Sequence, residues 1–154
     1  LLKHLDQAQI DFAIFAFPYE LPDYIESYQV FDDPIYFIQH KNRTSKEIDN
    51  GSLLMLEQGH CLRSHILQNN EISSEHISNF SCTSISTLVA MVDSNIGVSF
   101  LPRMAIDFGI LSHYPNIDID LNSSKAKRDI GVIYRKNNPQ EEDIIKLATL
   151  LMTS

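Results

Sequence analysis

Residues Leu53 to Leu67 run Leu-Leu-Met-Leu-Glu-Gln-Gly-His-Cys-Leu-Arg-Ser-His-Ile-Leu, and that order admits few folds. Leu53 to Leu56 is a continuous apolar run, which predicts a buried strand. Gly59 marks a turn, and Leu62 to Asn69 predicts a helix whose first turn carries His60, Cys61 and Arg63. A thiol beside a turn glycine at a helix N-terminus meets unpaired backbone N–H groups and the positive end of the helix dipole. Both favour thiolate over thiol, and Arg63 adds a fixed positive charge. Thiolate is the form that attacks peroxides and disulfides, so Cys61 is a candidate reactive cysteine. A small apolar residue packed under a helix start accounts for the same pattern.

Elsewhere strands and helices alternate. Leu1 to Gln7 has the pattern of a helix tail. Phe12 to Phe17 is an unbroken apolar run, the signature of a strand buried on both faces of a parallel sheet, and Pro18 and Pro22 end it. Tyr28 to Phe31 and Ile35 to Gln39 predict two strands around an Asp32-Asp33-Pro34 turn, where Asp bonds the local backbone and Pro sets φ. Lys41 to Gly51 is polar, with one helical turn expected at Ser45 to Ile48. A short strand over His76 to Ser81 ends at Cys82. Ser84 is placed to cap a helix from Ile85 to Val92, whose apolar positions Ile85, Leu88, Val89 and Val92 fall three and four apart. Gly97 to Leu101 predicts a strand, with Pro102 opening a short helix to Asp107. Ile117 to Leu121 alternates as an edge strand does. Lys125-Ala126-Lys127-Arg128, the only basic cluster, predicts a solvated loop before a strand from Ile130 to Tyr134. Pro139 to Met152 predicts the last helix, with Glu141, Glu142 and Asp143 in its first turn. Two crossings, near Pro22 and Asp129, divide this α/β pattern into two lobes: 1–21 with 130–154, and 22–129.

The whole is short enough for one domain or two small lobes. No apolar run reaches the length of a membrane span, and two cysteines without a CxxC pairing suit a reducing cytoplasm. Cys61 and His65 lie four apart on one helical face. With His60 they supply three ligand types, but a regular zinc site needs a fourth, so no metal and no cofactor is expected. His65 is expected as an exposed neutral side chain, or as a proton partner of the thiol.

Leu54-Met55-Leu56-Glu57-x-Gly59-His60-Cys61-Leu62-Arg63 resembles the segment around the peroxidatic cysteine of OxyR-type peroxide sensors, which are LysR-type transcriptional regulators. Ile10 to Ile14, Phe31 to Pro34, Thr83 to Leu88, Gly97 to Pro102 and Ile130 to Arg135 resemble further stretches of LysR-type regulatory domains, in the same order. The resemblance implies a two-lobed α/β regulatory domain of periplasmic-binding-protein type and a sensing role rather than an enzyme. It casts Cys61 as the redox-sensing residue and Gly59, His60, Arg63 and Arg135 as its support. Thr83 and Ser84 fall where the family lines its effector cleft, although simple capping explains them equally well. It also implies a resolving cysteine nine residues after Cys61, where this chain has Asn70. The family's peroxide-holding threonines, its DNA-binding helix-turn-helix and the opening strands of its first lobe would all precede Leu1. On that comparison the first lobe is incomplete, and Leu1-Leu2-Lys3-His4-Leu5 looks like a cut inside a helix.

Three functions remain on the sequence. One is hydrogen-peroxide or redox sensing through Cys61. Another is a LysR-type domain binding a small organic effector with Cys61 not redox-active. A third is a stand-alone thiol peroxidase or reductase, whose turnover needs a resolving thiol and a reductant route that the sequence does not display. The family pairs through its regulatory domains, so a homo-oligomer is expected, with apolar surface and an unpaired sheet edge on the shortened lobe. The formal charge of −8 opposes phosphate contacts, which need clustered Lys and Arg. The isolated chain should therefore give no salt-sensitive, specific shift of a promoter duplex in a gel-mobility assay; such a shift would refute this reading.

Overall fold

The computed structural model describes residues 1–17, 21–58, 60–69, 72–123 and 126–151. Its elements, in order, are α1 (Leu2–Asp6), β1 (Phe12–Phe17), β2 (Ile25–His40), β3 (Leu53–Leu56), α2 (Cys61–Asn69), a 3₁₀ turn (Ser74–His76), β4 (Ile77–Cys82), α3 (Ile85–Asp93), β5 (Ser99–Pro102), α4 (Arg103–Asp107), β6 (Ile117–Asp120), β7 (Ala126–Arg135) and α5 (Glu141–Leu151). The chain divides into two compact units, Leu1–Asp33 with Arg128–Ser154, and Pro34–Lys127. The boundary after Asp33 lies well beyond Pro22, because the stretch from Ile25 already belongs to β2 and to the core of the first unit.

In the first unit β1 pairs antiparallel with β7, Phe12 opposite Tyr134 and Phe17 opposite Asp129, and β7 is flanked on its other side by β2. The parallel, doubly buried strand expected at Phe12–Phe17 is therefore an antiparallel strand at the end of the strand order. Its burial is partial, and Ile14 is 58% exposed. Leu5, Ala13, Ile25 and Ile133 form one small core and Val30, Val132, Tyr134, Ile144 and Ala148 another. Ile144 and Ala148 are four apart, so α5 presents one stripe inward and leaves Leu147 and Leu150 outside. Where β7 passes β2, a Cβ on Gly131 would strike the Tyr28 carbonyl and come within 2.7 Å of Phe17 Cε2.

The second unit holds the larger core. Here β2 pairs antiparallel with β5, Ile35 opposite Pro102, and with β6, Phe37 opposite Asp120. All four residues of β3 are buried. β4 runs parallel to β3 on one side, and Val98 bridges Leu53 in parallel on the other. Gly97 permits that approach, since a Cβ there would meet Ser52 backbone oxygen and lie 2.9 Å from Leu54 Cγ. Ser99 is fully buried because its hydroxyl donates to the Leu54 carbonyl at 2.8 Å. Leu62 and Ile66 of α2 and Leu88, Val89 and Val92 of α3 close the cluster.

Several local expectations give way. Asp32-Asp33-Pro34 is no turn: β2 runs unbroken through it, and Asp33 is buried against Arg128. Pro34 falls just before Ile35, where pairing with β5 begins. Lys125 and Met152 lie outside the described residues, but Ala126 to Arg128 already belong to β7, and Ala126 is buried rather than solvated. No helical turn forms over Ser45–Ile48; Arg43 instead pairs with Asp49 at 2.5 Å and Lys46 with Asp120 at 3.1 Å. That contact holds the Asp120 carboxyl below its ordinary pKa, first through the hydrogen bond from Lys46. The strand after Gly97 starts at Ser99, and α4 starts at Arg103 with Pro102 as its N-cap.

Gly131 supplies a test of the β2–β7 packing. Gly131→Ala should destabilise the chain by about 1–3 kcal/mol, the usual cost of overpacking, read as a lower midpoint in urea unfolding. An unchanged midpoint would contradict the close approach.

Candidate functional site at the ends of two parallel strands

β3 and β4 are parallel, with Leu56 opposite Cys82, and each runs from its carboxyl end into a helix N-terminus. The Glu57 N–H donates to the Cys82 carbonyl at 3.1 Å, which keeps the two strand ends together past the last ladder pair. Beyond β3 the chain tightens: the His60 N–H donates to the Glu57 carbonyl at 3.3 Å and the Arg63 N–H to the His60 carbonyl at 3.1 Å. α2 begins at Cys61 itself, one residue earlier than expected. Gly59 lies outside the described residues, as does Asn70. Beyond β4, the Ser84 hydroxyl caps α3 by accepting from the Thr87 N–H at 3.1 Å and lies 3.0 Å from the Thr87 hydroxyl. Cleft ligands in α/β proteins collect at such carboxyl strand ends, where helix N–H groups point outward.

His60, Cys61, Arg63, Thr83 and Ser84 thus all stand at this one edge of the second unit. Cys61 is half-buried, and His60, Thr83 and Ser84 are exposed. The Arg63 guanidinium donates from Nη1 to the Leu56 carbonyl at 3.0 Å, which fastens the charge to the end of β3. Arg63 also lines a groove of about 470 Å³ with Glu57, Gln58, Ile77, Ser78 and Ser81. Of these, Glu57 and Arg63 belong to the cysteine motif; the sequence marks Gln58 only by its place between them, and the serines only by the polar character of β4.

Arg135 belongs to the first unit. There it lines a groove of about 530 Å³ with Asp6, Asp23, Tyr24, Lys136 and Asn137, and its Nε is enclosed without a hydrogen-bond acceptor among the described residues. His65 is 1% exposed, not the solvated side chain expected, because α2 turns the face bearing His65 and Ile66 into the core. Cys82 is 2% exposed and its thiol lies 3.5 Å from the Met91 sulfur, as a small packed residue should. Burial pushes the Cys82 pKa up.

The chain belongs to the LysR substrate-binding domain family. The family model matches residues 1–153, and the fold is the periplasmic-binding-protein-like α/β fold of those domains. Among solved structures, the sulfate-bound regulatory domain of an OxyR2 mutant from Vibrio vulnificus superposes with a TM-score of 0.90 at 31% identity, over 99% of this chain and 76% of that one. The reduced OxyR2 regulatory domain from the same organism gives 0.89 at 30% identity, over 99% and 75%. Among curated proteins, the transcriptional regulator OxyR of Escherichia coli K12 is 28% identical over 96% of this chain and 51% of its own length. The HTH-type regulator EstR of Acinetobacter baylyi is 24% identical over 98% and 52%. The chain therefore spans about half the length of these curated relatives, which are transcriptional regulators.

The two sulfurs should behave differently. Iodoacetamide at neutral pH should label Cys61 and leave Cys82 until the chain opens, as peptide mapping would read. Because folding raises the Cys82 pKa, the folded chain keeps a proton that the unfolded chain loses. Its contribution is full below the unfolded thiol range and is lost as pH rises from about 9 through the raised value. Urea midpoints taken from pH 8 to 10 should fall more steeply for the native chain than for Cys82→Ala; equal slopes would overturn the assignment.

Proposed function

We propose that this chain is the effector-sensing domain of an OxyR-like transcriptional regulator and that it senses hydrogen peroxide through Cys61. The observation that carries the reading is the sequence Gly59-His60-Cys61-Leu62-Arg63, with Cys61 opening α2 and accessible while Cys82 is enclosed. Helix N–H groups and the tethered Arg63 supply positive potential where a thiolate would form. The sulfur attacks one peroxide oxygen, the O–O bond breaks, and hydroxide leaves to become water on protonation. Cys61 is thereby oxidised by two electrons to the sulfenic acid and the peroxide is reduced. Position 70 is asparagine and cannot condense with it. The sulfenic acid then persists, is capped by an external thiol with loss of water, or is carried by more peroxide to the sulfinic acid. In the whole protein, DNA would be contacted by a helix-turn-helix region, and pairing between regulatory domains would make an oligomer.

A second reading rests on a different observation. The groove beside Arg63 is roomy and lined by polar groups, and no thiol stands at position 70 to complete a disulfide switch. A small organic effector held there would make Cys61 a packing residue. Intact-mass spectrometry after one equivalent of peroxide separates the two. Sensing through Cys61 gives a gain of one oxygen, lost in Cys61→Ser and kept in Cys82→Ser. A loss of two hydrogens mapping to a Cys61–Cys82 peptide pair would defeat the proposed end-point, and an inert Cys61 would hand the site to the organic effector.

A further inference from the structure

The groove at the end of β7 lies wholly within the first unit, where three segments of the chain meet. The Lys136 N–H donates to the Tyr24 carbonyl at 2.8 Å, which joins the end of β7 to the start of β2. Asn137 takes a left-handed conformation, φ 60°, which Asn tolerates better than most residues. The chain reverses there, and the Asn138 N–H donates to the Arg135 carbonyl at 3.2 Å. The buried Asn138 amide reaches the third segment, donating from Nδ2 to the Asp11 carbonyl at 3.2 Å. Asp6, Asp23, Tyr24, Arg135 and Lys136 are thus carried on segments bonded to one another.

The charges in this groove are unmatched. Arg135 is half-buried with its Nε enclosed, yet among the described residues its guanidinium makes no hydrogen bond and no ion pair. Nor does any ion pair join Lys136, Asp6 or Asp23 to another described residue. A partly buried guanidinium without an anion has lost water and gained no partner, and a carboxylate offered to its fork supplies charge-assisted bonds. Two cations and two carboxylates leave the groove neutral in sum, while the chain as a whole carries −8. A free anion is opposed by that field and by the aspartates, and a free cation by Arg135 and Lys136. A molecule bearing both signs satisfies both sets. The Tyr24 ring, 41% exposed, adds an apolar wall, and the volume suits a small molecule. We propose that this groove is a ligand site in its own right and takes a free amino acid, its carboxylate held by Arg135 and Lys136 and its ammonium by Asp6 and Asp23. The site draws on no group near Cys61 and goes beyond the peroxide reading.

Saturation-transfer NMR on the full 154-residue chain tests it, with pools of the standard L-amino acids at millimolar concentration and with acetate and ethylammonium as single-charge probes. At least one amino acid should give a signal, and each single-charge probe should bind at least about tenfold more weakly, having lost one of the two charge contacts. Arg135→Gln should weaken that amino acid by at least about tenfold. Asp6→Asn/Asp23→Asn should narrow its advantage over acetate to about threefold or less, since only the carboxylate contact remains. Lys136→Gln, at an exposed position, should also weaken it and serves if Arg135→Gln does not fold. Cys61→Ser should bind as the native chain does, which keeps this test apart from the sensing chemistry. Silence from every amino acid, or binding untouched by the Arg135, Lys136 and aspartate variants, would overturn the proposal. Acetate bound as tightly as the amino acid would make the groove a plain anion site, and loss of binding in Cys61→Ser would move the ligand to the second unit; either refutes it.

Discussion

The burial of β3 is the constraint on which the rest of the second unit depends. Leu53, Leu54, Met55 and Leu56 are all 4% exposed or less, and a strand with no solvent face must find backbone partners on both edges. It finds β4 on one side and Val98 on the other, and the second contact needs a residue without a Cβ at Gly97. With both edges engaged, the end of β3 has little freedom. Glu57 is tied to Cys82, Arg63 to Leu56, and α2 starts at Cys61 because the chain has turned in the space those bonds leave. The position of the thiol is thus a consequence of packing several residues upstream.

One edge of the second unit gathers five of the candidate residues. His60, Cys61, Arg63, Thr83 and Ser84 follow the carboxyl ends of two strands that are neighbours in one parallel pair. Their proximity needs no long-range coincidence beyond that pairing. Arg135 ends a strand of the first unit and lines a groove made there. The family resemblance joins it to the others by motif; the packing within each unit is a separate fact. The Ser84 hydroxyl, though exposed, caps α3, and Thr83 beside it is exposed as well.

Charge is handled differently at the surface and inside. Asp120 has its carboxyl lowered by Lys46, whose own side chain stays largely exposed, and with one partner in water the pair gives little net gain. Tyr134 shows the other case: burial raises its hydroxyl pKa first, and the hydrogen bond it donates to Glu141 at 3.2 Å raises it further. Asp33 and Arg128 belong with the enclosed groups: the Asp33 side chain has no exposure and Arg128 donates to it.

What the sequence determined by itself is whatever near neighbours decide. The buried strand at Leu53–Leu56, the helix that follows it and the Ser84 cap depend on periodicity and on residues three or four apart. Those features and the cysteine motif were legible without coordinates. Tertiary structure decided the features whose partners are remote. Asp33 looks like a turn residue until Arg128, 95 positions away, claims its carboxylate and β2 runs straight through. Phe12 to Phe17 has the composition of a central strand, yet its place at the end of the strand order leaves Ile14 in water. His65 carries no local sign of burial, and only the packing of α2 against the core puts it inside. Local propensity follows from the chain's own covalent geometry, whereas burial and charge pairing are settled by whatever the fold brings alongside.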